Sequence, residues 1–183
     1  MNIVVYCGST AGRDPAYIEA ASGLGARIAK EGFTLVYGGG SVGMMGAVAD
    51  AALAGGAHVI GVTPGFMHER EWTHTGLPEL IVTKDMHERK KRMIDLGDAF
   101  VALPGGTGTL EEITEAVSWL SLGLIQGPCY FLNIKQYYDK LEAFFNVMVE
   151  EGYIRTDTAA RAVFIRTIDE LFACLPAPKS SRE

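Results

Sequence analysis

Short apolar runs alternate with longer amphipathic segments along the whole chain. Unbroken apolar runs bounded by turn residues are typical of strands that are buried on both faces. Segments in which apolar residues recur every three or four positions are typical of helices packed on one face. Strands are predicted over residues 3–7, 34–37, 58–62, 79–82, 99–103 and 129–132, with a weaker one at 163–165. Helices are predicted over residues 15–31, 43–54, 85–96, 109–124, 135–150 and 168–174.

This alternation of strands and helices predicts the α/β class. Repeated strand–helix–strand units build a parallel sheet, so we expect a single-domain, Rossmann-like, doubly wound parallel sheet with helices on both faces. The length of 183 residues suits one domain with one substantial core. We expect residues 1–175 to form that domain and residues 176–183 to form a flexible C-terminal tail.

Glycine-rich segments follow three of the predicted strands. They cover residues 7–12, 38–43 and 104–109. The carboxyl ends of parallel strands meet at one edge of a sheet, and ligands of doubly wound folds bind beyond that edge. Each segment by itself could be an ordinary turn. Three of them at one edge favour a shared ligand site.

The third glycine-rich segment is the most informative. It runs from Pro104 to Thr109, between the strand predicted at 99–103 and the helix that follows, and holds three glycines and two threonines. Bare backbone N–H groups beside a helix N-terminus bind phosphate well. Glu112 is predicted one turn into the helix, where a carboxylate can act on the sugar of a bound nucleotide. The structural alternative is a capping box, since Thr109 and Glu112 have the required spacing.

One arginine of the basic helix at 85–96 is predicted to point inward. Arg89 lies three residues after Met86 and four before Met93, so the three side chains share one side of the helix. A guanidinium turned toward the protein needs an anionic partner, because its desolvation is otherwise costly. A structural ion pair is one interpretation, and a ligand phosphate or catalytic carboxylate is the other. The strand at 99–103 brings this helix close to Pro104, so we expect Arg89 near Glu112.

Charge and cysteine usage narrow the class of protein. The net charge of −6 argues against a general nucleic-acid surface, although local donors can still bind a small anion. The three cysteines have no paired spacing, which favours a reducing, cytoplasmic environment. The chain enters a strand directly after Met1, so we expect no signal peptide. Residues 116–134 are uncharged, but Gly127 and Pro128 divide them, so we expect no membrane span.

Two further patterns do not indicate a dinucleotide cofactor or a metal. The spacing Gly38-x-Gly40-x-x-Gly43 resembles a dinucleotide fingerprint, but the next strand ends without the acid that would bind a ribose, so we expect no NAD cofactor. The four histidines lack the paired spacing of a metal site, so we expect no metal.

The helix predicted at 109–124 is apolar on almost every side beyond Glu115. Such a helix is buried on more than one face. It either runs through the centre of the core or packs against a second copy of the chain. The residues that make it apolar are Ala116, Val117, Trp119, Leu120 and Leu122.

Four motifs together resemble one known family, the LONELY GUY (LOG) family. PGGTGTLEE at 104–112 matches its PGGxGTxxE signature, and MHERK at 86–90 matches its MHxRK element. GGGSVGMMG at 38–46 resembles its GGGxxGLMG loop, and YCGS at 6–9 resembles the end of its first strand. The resemblance covers about residues 1–170 in order, and the combination is much more specific than any single motif.

The resemblance implies a cytokinin riboside 5′-monophosphate phosphoribohydrolase. Such an enzyme cleaves the N-glycosidic bond of an N6-modified AMP and needs no cofactor. Carried over by motif, Arg89 and Glu112 are the catalytic pair. The implied substrate-binding residues are Ser9, Gly39, Gly40, Glu71, Lys90, Gly105, Gly106, Thr107, Gly108, Thr109, Leu110, Glu111 and Ser118. Members of this family form dimers, so the resemblance implies at least a homodimer with a nucleoside 5′-monophosphate as the substrate.

Two other functions stay open at the level of sequence. A general nucleosidase acting on AMP would use the same catalytic residues. A non-catalytic nucleotide-binding protein, similar to molybdenum-cofactor carriers, would need the phosphate site but no carboxylate beside it. We expect the purine in an apolar pocket built with Met44, Met45 and Trp72, and the departure of residues 64–78 from the plant pattern bears on base selectivity.

Overall fold

The computed structural model describes residues 1–68 and 73–177 of the chain and contains the predicted parallel sheet. Seven parallel strands form one sheet in the order β4-β3-β2-β1-β5-β6-β7. Their bounds are Asn2–Tyr6 (β1), Thr34–Tyr37 (β2), Val59–Pro64 (β3), Glu79–Thr83 (β4), Ala99–Ala102 (β5), Cys129–Leu132 (β6) and Ala162–Ile165 (β7). The α/β class and the doubly wound topology are therefore confirmed.

The helices occupy both faces of the sheet, as the pattern predicted. Six of them match predicted segments, and two single-turn helices, α3 and α7, were not predicted. Their bounds are Pro15–Lys30 (α1), Gly43–Ala54 (α2), Gly65–His68 (α3), Met86–Leu96 (α4), Thr107–Ser121 (α5), Asp139–Glu150 (α6), Thr156–Ala159 (α7) and Ile168–Cys174 (α8). In the described residues, no helix combines the length and apolarity needed to cross a bilayer.

Two core clusters, one on each face, bury the sheet. Alternate residues of a strand point to opposite faces, so β1 contributes to both. Ile3 and Val5 pack with α1, α2 and α8, whereas Val4 and Tyr6 pack with α4, α5 and α6. Because the two faces are covered, the strands are almost entirely apolar, which explains why their positions were predicted well.

The chain order reverses at β1, and this reversal positions the site. From β1 the sheet grows through β2, β3 and β4 toward one edge, and then through β5, β6 and β7 toward the other. The loops that follow β1 and β5 therefore diverge at their carboxyl ends and leave a crevice. Two of the three glycine-rich segments are these loops.

Two predicted boundaries differ from the structure for identifiable reasons. The helix expected from residue 135 begins at Asp139, because Lys135 and Gln136 adopt left-handed backbone angles that interrupt a helix. The helix expected from residue 109 begins at Thr107, with Gly106 as its N-cap. The predicted tail lies largely outside the described residues, since residues 178–183 are not described.

Candidate active site

A cleft of about 550 Å³ lies at the carboxyl edge of the sheet, at the point where the strand order reverses. All three glycine-rich segments line it: Cys7 to Ser9 after β1, Gly38 to Gly40 after β2, and Gly106 to Thr109 at the start of α5. Arg89 from α4 and Glu112 from α5 complete its polar part. The cleft has the size expected for a small-molecule site.

Arg89 and Glu112 form an ion pair in the cleft wall. The Nη1 of Arg89 donates a hydrogen bond to Oε1 of Glu112. The Nε of Arg89 donates to the carbonyl of Val62 over 2.9 Å. Arg89 is only 6% exposed, and the Glu112 side chain is 11% exposed. The guanidinium is thus fixed at the end of β3 and presents Glu112 to the cleft. The pairing of Arg89 with Glu112 fits both a structural ion pair and a catalytic carboxylate.

Gly38 makes room for this arginine. A Cβ at position 38 would lie 2.5 Å from Nη2 of Arg89 and 3.2 Å from the sulfur of Met45. Any side chain there would therefore displace the guanidinium. The glycine of the second loop is required by the ion pair itself, whatever ligand the cleft holds.

Burial raises the pKa of Glu112, and the positive charge of Arg89 opposes that rise. The carboxyl group therefore releases its proton at a higher pH than an exposed glutamate does. Burial also raises the pKa of the Cys7 thiol far above its usual range. Cys7 lines the cleft as an uncharged thiol, which is a poor nucleophile.

The raised pKa of Glu112 predicts the pH range in which activity is lost on acidification. If the carboxylate form is the active one, kcat/KM falls as Glu112 becomes protonated. We expect this acid limb in a pH–rate profile to lie above about pH 4.3, the ordinary value for glutamate. A profile that stays flat from neutral pH down to about pH 4 would contradict an ionised Glu112 in this environment.

The start of α5 leaves amide groups free for an anion. Gly106 has no side-chain capping bond, and the described residues include no hydrogen-bond partner for the amides of Gly106, Thr107 and Gly108. The first N–H groups of a helix have no partner within the helix and carry its positive dipole end. The capping-box interpretation is wrong, because the helix begins two residues before Thr109 and Glu112 pairs with Arg89.

Lys90, next to Arg89 on α4, also pairs with acids of α5. Its ammonium group contacts the carboxylates of Glu111 and, over 3.2 Å, Glu115. These pairs raise the pKa of Lys90. Two consecutive residues of α4 therefore both pair with acids of α5, which helps to fix the position of Glu112.

Several residues implied as substrate contacts do not line the cleft. Lys90 and Glu111 pair with each other, and Leu110 is half-buried against the core. Ser118 is exposed and its hydroxyl donates to the carbonyl of Thr114 over 2.8 Å. Gly105 lies just behind the cleft wall, against Gly8. Glu71, with Trp72 of the expected purine pocket, lies outside the described residues.

The apolar part of the cleft differs from the expected purine pocket. Met45 lines the cleft, but Met44 points into the core and is 2% exposed. Val42, Met67 and Met86 line it and were not anticipated. Met67 lies in the single-turn helix α3, which no periodic pattern reveals. The spacing of Met86 from Arg89 places the two side chains on one face of α4, which is a signal in the sequence for its position in the cleft.

Comparison with known proteins identifies the family. A family model described as "Possible lysine decarboxylase" matches residues 45–175. A cytokinin riboside 5′-monophosphate phosphoribohydrolase of Rhodococcoides fascians is 43% identical over 97% of this chain and 90% of its own length. The chain belongs to the LOG family. A second LOG protein, cytokinin riboside 5′-monophosphate phosphoribohydrolase LOG7 of Arabidopsis thaliana, is 47% identical over 83% of this chain and 70% of its own length.

Solved structures support the fold of this LOG family member. A molybdenum cofactor binding protein from Rippkaea orientalis superposes with a TM-score of 0.73 at 21% identity, covering 94% of this chain and 93% of that one. A Moco carrier protein from Chlamydomonas reinhardtii gives a TM-score of 0.71 at 22% identity, with the same two coverages. At such identities the likeness concerns the fold alone.

Proposed function

We propose that the protein hydrolyses the N-glycosidic bond of cytokinin riboside 5′-monophosphates and releases the free base and ribose 5-phosphate. The observation that carries this proposal is the Arg89–Glu112 pair beside the free amides at the start of α5, in one cleft. The names of relatives at 43% and 47% identity agree with it. A carboxylate next to an anion site has no use in phosphate binding alone.

In this mechanism the phosphate fixes the sugar. The amides of Gly106, Thr107 and Gly108 bind the 5′-phosphate at the helix N-terminus, which holds the ribose against Glu112. The bound substrate then presents its anomeric carbon to the carboxylate. Binding energy from the phosphate thus orients a bond that lies several atoms away.

Glu112 stabilises the reacting sugar and activates water. Cleavage of a glycosidic bond passes through an oxocarbenium-like ribose, whose positive charge a nearby carboxylate stabilises. Glu112 also orients a water molecule and accepts its proton as the hydroxyl group adds to the anomeric carbon. The electron pair of the broken C–N bond leaves with the base, which takes up a proton. Arg89 keeps the carboxylate in place and limits the rise of its pKa.

The base occupies the apolar end of the cleft. Met45, Met67 and Met86, with Val42, present flexible thioethers and a methyl surface to a planar purine and an apolar N6 substituent. Among the described residues that line the cleft none is a lysine, and Lys90 pairs with acids elsewhere. A pyridoxal Schiff base, which a lysine decarboxylase would form with an enzyme lysine, has no counterpart there.

Product analysis tests the function. The purified protein is incubated with isopentenyladenosine 5′-monophosphate, AMP and unphosphorylated isopentenyladenosine, and free bases are separated by chromatography. We expect isopentenyladenine from the monophosphate, slower release of adenine from AMP, and no base from the riboside. Equal or faster turnover of AMP would favour a general nucleosidase. Release of no base, with a nucleotide still bound, would favour a non-catalytic binding protein.

We also propose that the protein is at least a dimer. Ala116, Val117 and Leu120 of α5 are buried in the chain's own core, but Leu122 is 73% exposed just beyond this helix. Ser118 faces outward on the same helix, so it can reach a nucleotide only across a subunit interface. Light scattering at micromolar concentration should give at least twice the 19.7 kDa chain mass, and a monomer would contradict the proposal.

A further inference from the structure

A strained turn follows β6, beside the glycine-rich loop after β5. Lys135 and Gln136 have φ values of 54° and 61°, in the left-handed region that residues other than glycine rarely adopt. Two such residues in succession persist only where the surroundings determine their conformation, and they cluster at functional sites. The turn precedes Tyr137 and Tyr138, so its conformation decides where these two side chains point.

Contacts on both sides fix this turn. The ammonium group of Lys135 lies 3.4 Å from Asp14, the N-cap of α1. The amide of Tyr138 donates to the side-chain oxygen of Asn133 over 2.7 Å. The ring of Tyr137 packs edge-on against Tyr17 of α1, with centroids 5.8 Å apart. The turn is therefore held between α1 and the end of β6.

The two tyrosine hydroxyls reach the glycine loop after β5. Tyr138 donates to the carbonyl of Leu103 over 2.7 Å, and Tyr137 donates to that of Gly105 over 2.6 Å. The carbonyl between them, that of Pro104, accepts from the amide of Gly8 over 3.2 Å. Three consecutive carbonyls of the loop are thus bound by donors from other parts of the chain.

The hydrogen bonds to these carbonyls set the direction in which the amide groups of the same peptides point. A trans peptide is planar, and its C=O and N–H point in opposite directions. Fixing the Gly105 carbonyl toward Tyr137 therefore turns the Gly106 N–H the other way. Gly106 lines the cleft, and its amide is one of the three groups proposed for the phosphate. Without a donor at this carbonyl, the Gly105–Gly106 peptide could rotate and present an oxygen to an anion.

We propose that Tyr137 is a positioning residue for the 5′-phosphate site, an inference that rests on the proposed function. Its hydroxyl sets the orientation of the Gly105–Gly106 peptide and does not itself contact the substrate. Tyr137 is 45% exposed and belongs to neither core cluster, so loss of its hydroxyl leaves the core packing intact. Tyr138, in contrast, is buried in the core and serves the fold as well.

The test compares Tyr137→Phe with Tyr153→Phe. Tyr153 is 84% exposed and distant in sequence from the loop, which makes it a matched control for loss of a hydroxyl. We expect Tyr137→Phe to lower kcat/KM for isopentenyladenosine 5′-monophosphate by about three- to ten-fold, the equivalent of one hydrogen bond. The melting temperature should not change. No loss on the monophosphate, or the same loss in Tyr153→Phe, would overturn the inference.

Calorimetric titration with ribose 5-phosphate separates this inference from the proposed function. We expect Tyr137→Phe to bind ribose 5-phosphate about three- to ten-fold more weakly than the wild type does, and Tyr153→Phe to bind it with unchanged affinity. If the wild-type protein releases no base, the proposed function is wrong. The titration then tests the role of Tyr137 in anion binding by itself. Equal affinities of wild type and Tyr137→Phe, or no binding to the wild type, would overturn the positioning role.

Discussion

Glu112→Gln should abolish most of the hydrolytic activity while leaving the fold intact. The amide has nearly the shape of the carboxylate and can still accept a hydrogen bond from Arg89, so the local packing is kept. It has no negative charge to stabilise an oxocarbenium-like sugar, and it cannot accept a proton from water. We expect kcat to fall by about 100- to 10,000-fold, the range for loss of a general base.

The measurement is initial-rate chromatography of the released base, with Glu19→Gln as the control. Glu19 is an exposed acid of α1, far from the cleft in sequence. Circular dichroism and a thermal melt establish that the Glu112 variant is folded. Affinity for ribose 5-phosphate should be retained, because the amides at the start of α5 are unchanged. A folded Glu112→Gln protein with near-normal turnover would remove Glu112 from the mechanism.

Arg89→Ala should have a comparable effect on activity through a different cause. It leaves the Glu112 carboxyl buried without its cation, so the pKa of Glu112 rises further and more of the group is protonated at neutral pH. It also removes the hydrogen bond to Val62 that fixes the side chain at β3. We expect kcat/KM to fall at least about 100-fold, with the acid limb of the profile moved to higher pH.

Loss of one partner of a buried ion pair also destabilises a protein, typically by about 3–5 kcal/mol. Arg89→Lys keeps the charge and serves as the conservative variant, and Arg92→Ala, an exposed arginine of the same helix, is the control. The lysine variant should recover part of the activity.

The decisive experiment adds Arg89→Ala to Glu112→Gln. If Arg89 acts by holding the carboxylate, the second substitution costs little further activity, and full additivity would argue for an independent role.

The fold was predictable because its signals are local. Strands buried on both faces are continuous apolar runs, so β1, β2, β5 and β6 could be placed to within a residue or two. The face of α4 that carries Arg89 followed from its spacing to Met86 and Met93. The strand at 99–103, which leads from this helix to Pro104, predicted the proximity of Arg89 to Glu112. The meeting of the three glycine-rich segments followed from parallel topology alone.

The remaining parts of the site depend on long-range geometry. Lys90 precedes Glu111 and Glu115 by a whole strand and loop, so no local pattern predicts that it pairs with them. Met67 lies in a single turn of helix, too short to show periodicity. Tyr137 reaches Gly105 only because two residues adopt backbone angles that their side chains disfavour. Helix patterns cannot reveal such a turn, since Lys135 and Gln136 are good helix formers.

The contact between Gly38 and Arg89 constrains the order in which this sequence can change. A side chain at position 38 and the arginine at position 89 exclude each other sterically, so alanine at 38 is harmful while the arginine is present. Once the arginine is lost, that cost disappears, and the remaining close contact of a Cβ at position 38 is with the sulfur of Met45 at 3.2 Å. The two positions are therefore epistatic. In a descendant that no longer uses the Arg89–Glu112 pair, we expect Gly38 to be substituted only after Arg89 has been lost.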